Sequence, residues 1–245
     1  MPNQAQIQAK LNHARSSLPS ASLPASILIK DNLYYVNGML KSKSNATKAL
    51  NIVNSYFGAL DFRMIYNGTE KEKDLREISK DYSWLIGTSL SLDFSSAVNP
   101  NSTMYEVLAI LEIAKNNNYP LGLIGSSQGT LIIYNAVLAF SLLSVENKNY
   151  LKSSVKLCLV GNLVPRRFFG QGQALVKEFL ACVSDRDALS TTFTDEGNIS
   201  GIKGYGRHAI KWYLPTKQLI KWYYSLFTDL DSNEPFVPKS YFEVL

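Results

Sequence analysis

Apolar runs separated by turn residues, with helix-spaced patterns between them, recur along the chain. Ile27–Ile29 and Leu33–Val36 are short β-rich runs divided by Lys30, Asp31 and Asn32. After Ser42 or Ser44, the residues Ala46, Ala49, Leu50, Ile52, Val53, Tyr56 and Phe57 are spaced for one buried helix face, and Gly58 is a natural terminator. Phe62–Tyr66 reads as the next strand, closed by Asn67-Gly68. A charged segment from Gly68 to Tyr82 follows as a helix with its polar face outward. The helical pattern fails between Trp84 and Asn101. Ser102 and Thr103 then cap a helix running through Ala114, which ends in Asn116, Asn117 and Asn118.

The later half repeats the scheme. Leu121–Ile124 is a short buried strand, and Thr130–Leu138 resumes as a helix. Val155–Val160 is a continuous apolar run, as expected of a strand buried on both faces. Val176–Val183 is a further strand, and a last helix spans about Thr216 to Phe227. Strands alternating with helices predict an α/β fold, a mainly parallel sheet with helices on both faces.

The pattern also suggests boundaries. Residues 1–25 are polar and rich in Ser, Pro and Ala, which predicts an N-terminal arm with a short helix at most, around Gln6 to Arg15, and then a loose linker. Residues 26–245 form one domain, with possible cap segments around 70–104 and 162–175.

Composition changes this picture little. With 46% hydrophobic and 18% charged residues in 245, the chain can bury a substantial core. Its net charge of +5 is scattered, so no basic stripe points to nucleic acid, while weak peripheral contact with anionic membranes stays open. Cys158 and Cys182 sit in apolar runs and read as buried free thiols, with no zinc or disulfide pattern. No apolar run is long enough to span a bilayer, and the first residues lack the apolar core of a signal peptide, so a cytoplasmic protein is expected.

The candidate chemistry centres on Gly125-Ser126-Ser127-Gln128-Gly129. Ser127 occupies the centre of a G-x-S-x-G turn between a strand and a helix, the context in which that motif makes a nucleophile elbow. Ser126 reads as a small turn residue. The start of the following helix brings the Gln128 N–H beside the hydroxyl, where its dipole favours developing negative charge. A serine needs a base, and of the two histidines His13 lies in the polar arm, leaving His208. The histidine needs an acid; Asp185 and Asp187 both follow the Val176–Val183 run, and Asp187 is preferred because Asp187-Ala188-Leu189 turns the chain back toward the core.

The G-S-S-Q-G elbow, followed in order by Asp187 and His208, resembles the α/β-hydrolase superfamily over about residues 33 to 228, and cutinase-like and lipase-like members in particular. The chain departs from the family in a shortened unit between Asp187 and His208 and in lacking the first strands of the full sheet. The resemblance implies a second oxyanion donor after an early strand, which falls on the Met39 N–H with Gly38 permitting the close turn. It also implies a lid near Phe168 and Phe169. Tyr205 stands near His208 as a pocket residue, and Arg166 and Arg167 could meet an anionic group. The activity implied is hydrolysis of a carboxylic ester or thioester, of a small or lipid-like acyl substrate, through an acyl-enzyme with no metal or organic cofactor. Acyl transfer with the same triad and a non-catalytic binding role remain alternatives.

Overall fold

A computed structural model describes residues 4–39, 42–58, 60–68, 74–91 and 101–182. Its centre is a sheet of five strands, all parallel: β1 (Leu33–Val36), β2 (Arg63–Ile65), β3 (Leu121–Ser126), β4 (Val155–Val160) and β5 (Glu178–Cys182), in the order β2-β1-β3-β4-β5. This is the α/β architecture expected from the alternating pattern. Around the sheet lie α1 (Gln4–Ser17), α2 (Lys43–Phe57), α3 (Asp74–Ser91), α4 (Ser102–Asn116), α5 (Gln128–Leu143), α6 (Val145–Ser154) and α7 (Phe169–Leu175).

Successive strand residues point to opposite faces, and the core divides accordingly. Tyr34, Val36, Leu123, Leu157 and Leu159 pack on one face with residues of α1, α3, α4, α5 and α6. Leu33, Tyr35, Ile124, Cys158 and Val160 pack on the other with Ala49, Val53 and Phe57 of α2. Strands β1, β3 and β4 are buried along their whole length, which is why they read as continuous apolar runs.

The helix ends follow local chemistry. The Ser42 hydroxyl accepts from Asn45 N–H at the start of α2, and Gly58, at φ +52°, ends it. At α4 the cap is Asn101, whose side chain accepts from Thr103 N–H, one residue before the expected Ser102-Thr103. Helix α6, in a stretch with no apolar periodicity to announce it, starts on Ser144, which accepts from Asn147 N–H at 3.1 Å.

Four expectations are corrected. Ile27–Ile29 is no strand: Ile27 is 74% exposed, and Ile29–Asp31 forms a single 3-10 turn. The Asn32 side chain shapes this segment, donating to the Ser26 and Leu28 carbonyls and accepting from Ala25 N–H. The polar arm is largely helix. Ile7, Leu11 and Ala14 lie at helical spacing in α1 and are buried in the main core, with α1 packed on α4. The helical pattern does not fail at Trp84. Helix α3 continues to Ser91 because Trp84, Leu85 and Thr88 are buried on its inner side, against α5. Within the two segments expected as caps, α3 is therefore part of the body of the fold, and so are Leu163, Val164, Phe168 and Leu175, all in the main core.

Candidate active site

Strand order reverses at β1 and β3: the chain leaves β1 for β2 on one side, and β3, β4 and β5 extend on the other. In open parallel sheets, ligands bind outside the carboxyl ends of strands at such a switch point. Ser127 follows the carboxyl end of β3, and Asn37, Gly38 and Met39 follow that of β1.

Ser127 has φ +55° and ψ −126°, a conformation that residues with a Cβ rarely adopt. Its backbone is pinned on both sides. Its N–H donates to the Val160 carbonyl at 3.1 Å, and its carbonyl accepts from Thr130 N–H at 2.9 Å and Thr130 Oγ1 at 2.6 Å. The flanking glycines permit the turn. A Cβ on Gly125 would stand 2.8 Å from the Gly129 carbonyl oxygen, and one on Gly129 would stand 2.9 Å from the Val36 carbonyl carbon. Chain direction therefore changes from strand to helix within one residue.

The two adjacent serines have different surroundings. Ser126 Oγ is paired with Tyr35 Oη at 2.9 Å, and burial pushes the Tyr35 phenol up to about 12, so it is protonated at neutral pH. Ser127 is 6% exposed, and its Oγ has no hydrogen-bond partner among the described residues. A buried hydroxyl is ordinarily hydrogen-bonded, so the two adjacent serines differ in what the described residues offer them.

The loop after β1 lies directly over this hydroxyl. A Cβ on Gly38 would come within 2.6 Å of Ser127 Cβ and 3.1 Å of Ser127 Oγ. Only a glycine leaves that space, so the Gly38 backbone passes directly beside the Ser127 side chain. On the other side Gln128 begins α5, and its N–H has no acceptor within the helix.

Behind the loop is a buried polar cluster that sequence reasoning missed. Asp81, on α3, accepts from Gln128 Nε2 at 2.9 Å and from Asn101 N–H at 3.1 Å. Gln128 Oε1 accepts from Asn67 Nδ2 at 3.0 Å, and Asn101 Nδ2 donates to Asn67 Oδ1 at 3.1 Å. Asn37 Oδ1 accepts from Asn67 N–H at 2.8 Å, while Asn37 Nδ2 donates to the Asn67 carbonyl at 3.0 Å and the Gly38 carbonyl at 2.8 Å. All five side chains are 5% exposed or less. The only local signal was Asn-Gly at 67 and 68, legible merely as the close of a strand.

The remaining sequence-derived candidates divide. Phe168 is buried, and its carbonyl accepts from Tyr134 Oη at 2.8 Å; the Phe169 ring lies 5.8 Å from that of Phe179. Both thus pack against the body of the fold. The Arg167 guanidinium lies 4.9 Å over the Phe168 ring. His13 is exposed on α1. Cys158 and Cys182 are buried free thiols, as expected. Asp185, Asp187, Tyr205 and His208 lie outside the described residues. No helix among the described residues is long and apolar enough to cross a membrane.

No family model, curated protein or solved structure matches this chain.

Proposed function

We propose that this protein is a serine hydrolase of the α/β-hydrolase type, cleaving a carboxylic ester or thioester through an acyl-enzyme. Ser127 Oγ attacks the carbonyl carbon, His208 takes its proton and returns it to the leaving group, and Asp187 orients the imidazole. The N–H groups of Gln128 and Met39 hold the oxyanion, and water then releases the acyl group. The observation that carries this reading is the backbone of Ser127, at φ +55° and ψ −126° on a strand-to-helix turn, with its buried hydroxyl unpartnered among the described residues. Strain of this kind persists where surrounding structure enforces it, and it is concentrated at reactive sites. The Gly38 backbone against the hydroxyl supports a carbonyl-binding site there. A cytoplasmic site of action belongs to the same reading.

The test is labelling with a fluorophosphonate probe, with the modified residue located by mass spectrometry. An adduct on Ser127 that disappears in His208→Ala is the expected result. No adduct on folded protein would overturn the reading in favour of a non-catalytic binding role.

A further inference from the structure

We propose that Asn37 is a positioning residue that sets the orientation of the Gly38–Met39 peptide, and that the buried chain Asn67, Gln128 and Asp81 holds Asn37 in register with Ser127. This rests on the hydrolase reading above and deepens it.

The argument begins with the peptide plane. No peptide bond among the described residues is cis, so the Gly38 carbonyl and the Met39 N–H point in opposite directions. Asn37 Nδ2 draws the Gly38 carbonyl toward itself at 2.8 Å. The Met39 N–H is thereby turned away from Asn37. Gly38 itself rests against Ser127, within van der Waals reach of its Cβ and Oγ. An unanchored peptide next to glycine could flip and present its carbonyl oxygen to the substrate oxygen, which would repel the developing charge.

Asn37 is in turn immobilised. Its amide makes a two-way pair with the Asn67 backbone, at 2.8 and 3.0 Å. The Asn67 side chain is locked between Gln128 Oε1 and Asn101 Nδ2. Gln128 Nε2 is anchored on Asp81, whose other carboxyl oxygen accepts from Asn101 N–H. Gln128 also carries the other proposed oxyanion donor on its backbone. One continuous network therefore ties the loop after β1 to the first residue of α5, so the two donors are fixed relative to each other. Each member has its hydrogen bonds in a site closed to water, the condition under which such a network rigidifies. It fixes dipoles before the reaction, the property that makes an oxyanion site effective.

The test is hydrolysis of p-nitrophenyl butyrate by the full chain. Asn37→Asp keeps the shape and the acceptor but loses both donors. It is expected to lower kcat about tenfold or more while KM stays within about twofold, since the lost interaction is made in the transition state. Asp81→Asn, further from the loop, is expected to lower kcat several-fold in the same manner, and it decides the matter if Asn37→Asp does not fold. A folded variant with unchanged kcat, or a loss carried wholly in KM, would overturn the positioning role while leaving the hydrolase reading intact. Wild-type protein without Ser127-dependent turnover would overturn both.

Discussion

Gly129 lies directly against the carbonyl of Val36, so that α5 starts in contact with the end of β1. A Cβ at position 129 would meet backbone atoms of Val36 and Asn37, with the Asn37 oxygen at 3.0 Å, and backbone cannot turn aside as a side chain can. Gly129→Ala should therefore destabilise the fold by about 2 kcal/mol or more, as overpacking does, and displace the loop that carries Gly38. Gly170 is the contrast. It is exposed in α7, and a Cβ there meets nothing within 4 Å. Gly170→Ala should raise stability by about 0.5–1 kcal/mol through helix propensity and the unfolded state. Chemical denaturation of the two variants should give opposite signs; equal signs would contradict the close approach at Gly129.

The N-terminal helix is part of the core rather than an appendage. Leu11 is 1% exposed and lies in the main cluster with residues of α4. Leu11→Ala should cost about 2–5 kcal/mol, the range for deleting a buried leucine side chain. Deletion of α1 should expose the apolar face of α4 and lower the thermal midpoint by several degrees. A change within about 0.5 kcal/mol for Leu11→Ala would mean that α1 is undocked in solution.

These cases show which parts of the structure were legible in the sequence. Strands β3 and β4 have local patterns that match their burial, and so does helix α2 at Ala46, Ala49, Val53 and Phe57; Ile52, expected on the same buried face, is 41% exposed. The Gly125-Ser126-Ser127-Gln128-Gly129 turn was legible because its steric demand is local. Helix α1 was only partly legible: three buried positions, Ile7, Leu11 and Ala14, are sparse among polar neighbours. Helix α3 was cut short at Trp84 because Gly87, Thr88 and Ser89 are weak helix formers, and docking on α5 overrides them. The cluster of Asn37, Asn67, Asp81, Asn101 and Gln128 was not legible as a cluster, although Gln128 and the Asn67-Gly68 turn stood out singly. Its members come from separate segments, and only the fold brings their amides into contact.

Alkaline pH should unfold the protein through its buried phenols. Burial pushes Tyr34, Tyr35 and Tyr105 each up to about 12 from an ordinary 10.0; the charge of Arg63 offsets part of the effect at Tyr34, and the hydrogen bond with Ser126 part of it at Tyr35. Between those values the unfolded chain has lost the proton and the folded chain retains it. Stability from these groups is thus whole below pH 10 and falls as pH rises toward 12, with a slope of about 1.4 kcal/mol per pH unit for each proton. Tyr35→Phe should flatten this limb by up to one proton. At neutral pH it should cost about 1–3 kcal/mol, because Ser126 Oγ loses its partner. Urea titrations at pH 8, 10 and 11.5 check both effects; an unchanged alkaline slope would mean that the Tyr35 hydroxyl is solvated.

Ser127 should trade stability for reactivity. Its backbone is held at φ +55° and ψ −126°, a conformation that costs a residue with a Cβ about 1–3 kcal/mol. Ser127→Ala removes the hydroxyl but keeps the Cβ and the strained backbone. Ser127→Gly removes the strain as well, against about 0.5–1 kcal/mol of added chain entropy in the unfolded state. Ser127→Gly should therefore be more stable than Ser127→Ala by about 1 kcal/mol, and both should lose fluorophosphonate labelling. Chemical denaturation of the two variants checks the order. A glycine variant no more stable than the alanine variant would show that the turn imposes no strain on residue 127, and labelling retained in either would show that the reactive residue is not Ser127.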